Sequence, residues 1–144
     1  MKPALKSFVF FAVWILVTVP LFRPFGYVSI ALLVVLGSLG AEVVAHWPAS
    51  SPVNAGFAAV ATQAASFAAL GAAALTGMFF VVLFAIQVTG PDMSYDTPAP
   101  AVVLLRAFLC AFIAALPSIY TVRKIFARRR GVAIAESAVM KSSV

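Results

Sequence analysis

The stretch "PAPAVVLLRAFLCAFIAALPSIY", Pro98 to Tyr120, decides the fold. It is apolar for the length of a bilayer crossing, which takes about 20 residues, and one arginine, Arg106, interrupts it. If this segment spans a membrane, the rest of the chain must supply further spans and something for Arg106 to meet.

Composition supports the membrane reading. Of 144 residues, 64% are hydrophobic and only 10% charged, and mean hydropathy is +1.10. Soluble domains carry roughly a quarter charged residues and about half apolar ones, so a water-soluble fold of this size could not hide so much apolar surface. The sequence predicts an all-α membrane protein with four transmembrane helices over about 7–22, 25–45, 67–88 and 100–122. A basic tail, 123–144, follows this 1–122 domain. Pro20, Pro24 and Gly26 read as stop signals after the first span, and Pro48 and Pro52 after the second. Pro117 reads as a kink within the fourth. The opening "MKPALKSFVFFAVWILVTVP" has the basic start and apolar core of a signal peptide. No small-x-small site follows it, and it reads as a retained first span.

The third block, Gly56 to Val88, is 33 residues long. As a straight helix it would measure roughly 50 Å, against about 30 Å of hydrocarbon. Thr62, Gln63 and Ser66 make its first third polar, so that part is expected to extend outside the membrane on the cytoplasmic side. Phe79, Phe80 and Phe84 are expected to face lipid or to wedge between subunits.

Charge placement gives the orientation. Arg123, Lys124, Arg128, Arg129, Arg130 and Lys141 follow the last span and only Glu136 opposes them, so 6 − 1 = +5 of the net +6 lies in the tail. Lys2 and Lys6 flank the first span, whereas the loop before the fourth carries Asp92 and Asp96 and no basic residue. The positive-inside rule then puts both termini in the cytoplasm, with a bacterial inner membrane as the expected location. Arg123, Lys124, Arg128, Arg129 and Arg130 are expected to contact anionic lipid. The tail lacks the aromatic interleaving and modules of nucleic-acid binders, so no nucleic acid is expected.

Three constellations remain. Ala61, Ala65, Ala69, Ala73 and Gly77 recur every four residues, a ridge that lets another helix approach closely. Glu42 and His46, at i and i+4 beside Trp47, are expected to form an interfacial pair. Arg106 lies six residues past Pro100, about 9 Å deep at helical rise. An arginine at the bilayer centre costs at least ~2.5–3.5 kcal/mol. It is expected to be clamped by Gln87, or by Asp92 or Asp96 folding back; the alternatives are a contact with an anion or substrate and an ion pair to another subunit.

No triad, paired carboxylates, phosphate loop or metal-ligand spacing occurs. The lone Cys110 excludes an intramolecular disulfide. The sequence therefore points to a non-enzymatic protein with no cofactor or metal, acting by assembly as a homo-oligomer or as an accessory subunit. The rival reading is an oligomeric pore, channel or small transport protein, holin-like, lined by Gln63, Ser66, Thr76 and the alanine ridge.

Overall fold

The structure is a computed structural model that describes residues 2–22, 26–47, 53, 56–90 and 98–142. It consists of four helices: α1 (Pro3–Phe22), α2 (Tyr27–His46), α3 (Phe57–Thr89) and α4 (Pro100–Ser142). All four are long and apolar enough to cross a membrane, the mark of an integral membrane protein.

The helices differ from their expected limits for local reasons. α1 begins at Pro3, where a missing N–H is harmless in the first turn, and the Lys2 carbonyl accepts from the amides of Leu5 and Lys6. That extra turn makes α1 about 30 Å long at 1.5 Å per residue, enough for a full crossing. Pro20 does not end it, because only two residues follow within the helix. Pro117 lies inside α4, and helical structure continues past it to Ser142. The region read as a tail is thus a direct extension of α4, which is about 64 Å long in all.

α1 packs on α2 and α3, and α4 packs on α2 and α3. Among the described residues, the α1 and α4 backbones do not approach within 8 Å Cα to Cα. Around the bundle axis the order is therefore α1, α2, α4, α3. Each helix presents one ridge at four-residue spacing to this interior, the commonest way helices interdigitate. The ridges are Ser7, Phe11, Ile15 and Val19 on α1, and Ile30, Val34, Ser38, Glu42 and His46 on α2. On α3 they are Val60, Ala64, Ala68 and Ala72, and on α4 Ala107, Ala111, Ala115, Ile119 and Arg123. The small ridges of α3 and α4 let those two helices pack over the longest interface in the bundle.

α1 closes on its neighbours through aromatic rings. Phe11 stacks on Phe67 with centroids 4.1 Å apart and planes 3° from parallel. Trp14 lies over Gly37 and donates its indole N–H to the Leu33 carbonyl at 3.0 Å. Phe10 lies over Gly40. Both glycines serve as sockets, because a side chain there would occupy the ring's place.

Two features of α3 go beyond what its sequence implies. Its first third is packed within the bundle, with Val60 and Ala64 fully buried. The end that stands clear is the other one, where Val81, Phe84, Ile86 and Val88 are exposed. The ridge that packs within the chain is one residue out of phase with Ala61, Ala65, Ala69, Ala73 and Gly77: Ala69, Ala73 and Gly77 face outward and Ala61 and Ala65 are half-buried. Phe67 sets this phase, since its ring must reach Phe11.

Candidate functional site: a polar tie between four helices

The four ridges carry their polar residues at one end of the bundle. This is the end where α1 and α3 begin and α2 finishes, and α4 reaches it at Arg123. Each helix contributes a side chain to one hydrogen-bonded group. Glu42 of α2 is its hub and is fully buried.

Glu42 Oε1 accepts from Ser7 Oγ at 3.0 Å and from Gln63 Nε2 at 2.6 Å. Oε2 accepts from Arg123 Nε at 2.8 Å, and Arg123 Nη2 lies 3.5 Å from Oε1. The fork of the guanidinium thus straddles the carboxylate, the geometry in which arginine bonds most strongly. Gln63 closes the group: its Nε2 also donates to Ser7 Oγ at 2.6 Å, and its Oε1 accepts from Arg123 Nη2. Gln63 therefore donates to Ser7 and Glu42 and accepts from Arg123, using both ends of its amide.

His46, one turn beyond Glu42, places Nε2 3.4 Å from Oε2. Its ring leans on Phe126 of α4 with centroids 5.9 Å apart. Among the described residues, His46 Nδ1 is buried without a hydrogen-bond partner. A cavity of about 210 Å³ adjoins the group, walled by Glu42, His46, Gln63 and Arg123 with Pro3 and Ala59, ample room for bridging water.

Chemically the group is a tie of one carboxylate and one guanidinium whose charges cancel. Truncating either partner of such a buried pair is expensive because the other charge is left stranded. Among the described residues, no three of His, Cys, Asp and Glu gather as metal ligands would.

The structure redistributes the residues singled out in the sequence. Glu42 and His46 are neighbours as their spacing implies, but buried, because the other three helices cover Glu42. Arg123 is not a lipid contact: it is buried and turned inward to Glu42. Lys124 is exposed, with its ammonium 5.4 Å from the Tyr120 ring centroid. Arg128 and Arg129 are exposed and Arg130 is half-buried. Ser7 was not singled out at all. The signal for Arg123 was available, since it continues the stripe Ala107, Ala111, Ala115, Ile119 by one more step of four.

Arg106 lies toward the opposite end of the bundle. It borders a cavity of about 200 Å³ beside Thr76 and Phe79 of α3. Gln87 is exposed and eight residues beyond Phe79, about 12 Å further along the helix. Among the described residues no hydrogen bond joins it to Arg106, so that half of the expected clamp is not made. Asp92 and Asp96 lie outside the described residues.

The class that this fold and this buried tie define is a four-helix integral membrane protein. Compared with family models, curated proteins and solved structures, the chain matches none.

Proposed function

We infer that the chain is a small, non-enzymatic inner-membrane protein with both ends in the cytoplasm, acting by assembly as a homo-oligomer or as an accessory subunit. The observation that carries this reading is the uncovered face of α3. Ala69, Ala73 and Gly77 are exposed on it, and an added Cβ at Gly77 would meet nothing within 4 Å. A shallow lane of small residues admits a neighbouring helix backbone closely, and in lipid such packing drives association. The extension of α4 adds support. Val132, Ile134, Val139 and Met140 are exposed on it, past the level where Phe126 meets His46, and a lone helix of that kind gains by burying them against another. Lys124, Arg128, Arg129 and Arg130 suit the anionic cytoplasmic leaflet.

The pore reading has less support. Gln63 is committed to the polar tie, and the Thr62 and Ser66 hydroxyls bond carbonyls of their own helix at 2.8 and 2.9 Å. Replacing Ala69 and Ala73 by Leu should convert complexes to single chains on native gels while leaving the fold intact. Complexes that survive would remove this face as the interface. Liposomes made leaky to small dyes by the purified oligomer would favour the pore.

A further inference from the structure

We propose that the cavity bordered by Arg106 is a binding site for one anionic phospholipid, the phosphate held by the guanidinium and an acyl chain laid into the cavity. Its walls are apolar and come from all four helices: Val19, Ile30, Leu75, Phe79 and Val102 are among them. At about 200 Å³ it exceeds an apolar cavity of roughly 150 Å³ that takes up benzene. Several methylene groups of a chain fit such a space.

Two polar groups at this cavity lack partners. Arg106 is exposed and makes no hydrogen bond or ion pair among the described residues. A guanidinium in apolar surroundings is matched best by a planar or tetrahedral oxyanion, which it grips with two donors. Thr76 Oγ1 is buried and has no partner among the described residues, and Thr76 lines the same cavity. Thr18, Thr62 and Thr89 each return their hydroxyl to the carbonyl four residues back. Thr76 departs from that habit, leaving a donor for an incoming oxygen.

Position favours a lipid over a dissolved anion. Arg106 is six residues past the start of α4, about 9 Å, so its long side chain reaches headgroup level while its stem stays in the apolar layer. Free phosphate would engage the guanidinium but make no use of the apolar walls. A phospholipid uses both.

The test uses the full chain carrying Arg128→Gln, Arg129→Gln and Arg130→Gln, so that the extension of α4 contributes little anionic-lipid binding. The protein is stripped of lipid in mild detergent and titrated with phosphatidylglycerol, phosphatidylcholine and inorganic phosphate, with bound lipid counted by native mass spectrometry. One phosphatidylglycerol should bind per chain at least tenfold more tightly than phosphatidylcholine, without competition from inorganic phosphate. Arg106→Gln should erase that preference, and Arg106→Lys should restore part of it. Thr76→Val, which preserves shape, should weaken binding severalfold. Ala107→Phe, filling the cavity with Arg106 intact, should weaken both lipids alike, and unchanged tryptophan fluorescence would establish that each variant is folded. Undiminished phosphatidylglycerol binding in folded Arg106→Gln or Ala107→Phe would overturn the proposal. So would inorganic phosphate binding as tightly as lipid. A tenfold gain in lipid affinity on Asp92→Asn or Asp96→Asn would also overturn it, by assigning Arg106 to a carboxylate of the chain itself.

Discussion

Arg123 and Glu42 are 81 positions apart in the chain and 2.8 Å apart in the bundle, Nε to Oε2, with both side chains buried. The contact joins α4 to α2, and through Gln63 and Ser7 it reaches α3 and α1. A charge pair in that position fixes the register of all four helices at once, since sliding any of them strands a buried polar group.

Breaking the pair should therefore be costly. Arg123→Ala is expected to destabilise the bundle by about 3–5 kcal/mol, the range for removing one partner of a buried pair. Replacing both partners, Glu42→Leu with Arg123→Met, should recover most of that loss, because hydrophobic substitutes of similar volume are often neutral. Denaturant unfolding in micelles of the four species of this double-mutant cycle measures the coupling. Equal stability of Arg123→Ala and the parent would show that the pair contributes nothing.

Gly37 should not tolerate a side chain. A Cβ there would sit 2.4 Å from Trp14 Cδ1 and 2.7 Å from Nε1, and the indole is held by its bond to Leu33. Gly37→Ala is expected to destabilise by about 1–3 kcal/mol through overpacking. Combined with Trp14→Leu, which vacates the socket, the two losses should be less than additive. The unfolding midpoint reports both effects, and Trp14 emission reports Gly37→Ala alone.

Adjacent alanines on α3 should behave oppositely. Ala68 is fully buried and Ala69 exposed. Ala68→Leu should lower the stability of the single chain by about 1–3 kcal/mol, whereas Ala69→Leu should change it by no more than about 0.5 kcal/mol. Reversal of that order would mean the helix is rotated from its described phase.

An even number of crossings puts both ends on one side. Reporter domains fused before Pro3 and after Ser142 should report the same compartment, and a reporter placed in the loop between α3 and α4 the opposite one. Opposite readings from the two ends would require one helix not to cross.

The sequence displayed the crossings and hid the interior. Four apolar blocks bounded by prolines, glycines and charges are visible because bilayer thickness sets their length. Helix phase is another matter. In an alanine-rich helix, small residues recur on more than one face, so Ala61–Ala65–Ala69–Ala73 looks as good a ridge as Val60–Ala64–Ala68–Ala72. Only the partner, Phe11 stacking on Phe67, selects between them. Arg123 was grouped with the basic residues adjacent to it in sequence, and charge-counting rules ignore which face a residue occupies. Gln63 suffered similarly: a polar residue in an apolar block reads as a pore lining until its partners on other helices are known. Arg106 stands out in the sequence as a charge within an apolar run, but Gln87 is out of its reach because α3 runs on past the level of the cavity.

The order of synthesis turns the 81-residue separation of Glu42 and Arg123 into an interval of time. At 5–20 residues per second, the ribosome needs about 4–16 s after adding Glu42 to add its arginine. Early in that interval only Ser7 and His46 are present for Glu42 to contact, and Gln63 joins them about 1–4 s after Glu42. Until Arg123 is added, the guanidinium that balances the Glu42 carboxylate is missing from the chain, so the tie closes only once α4 is made.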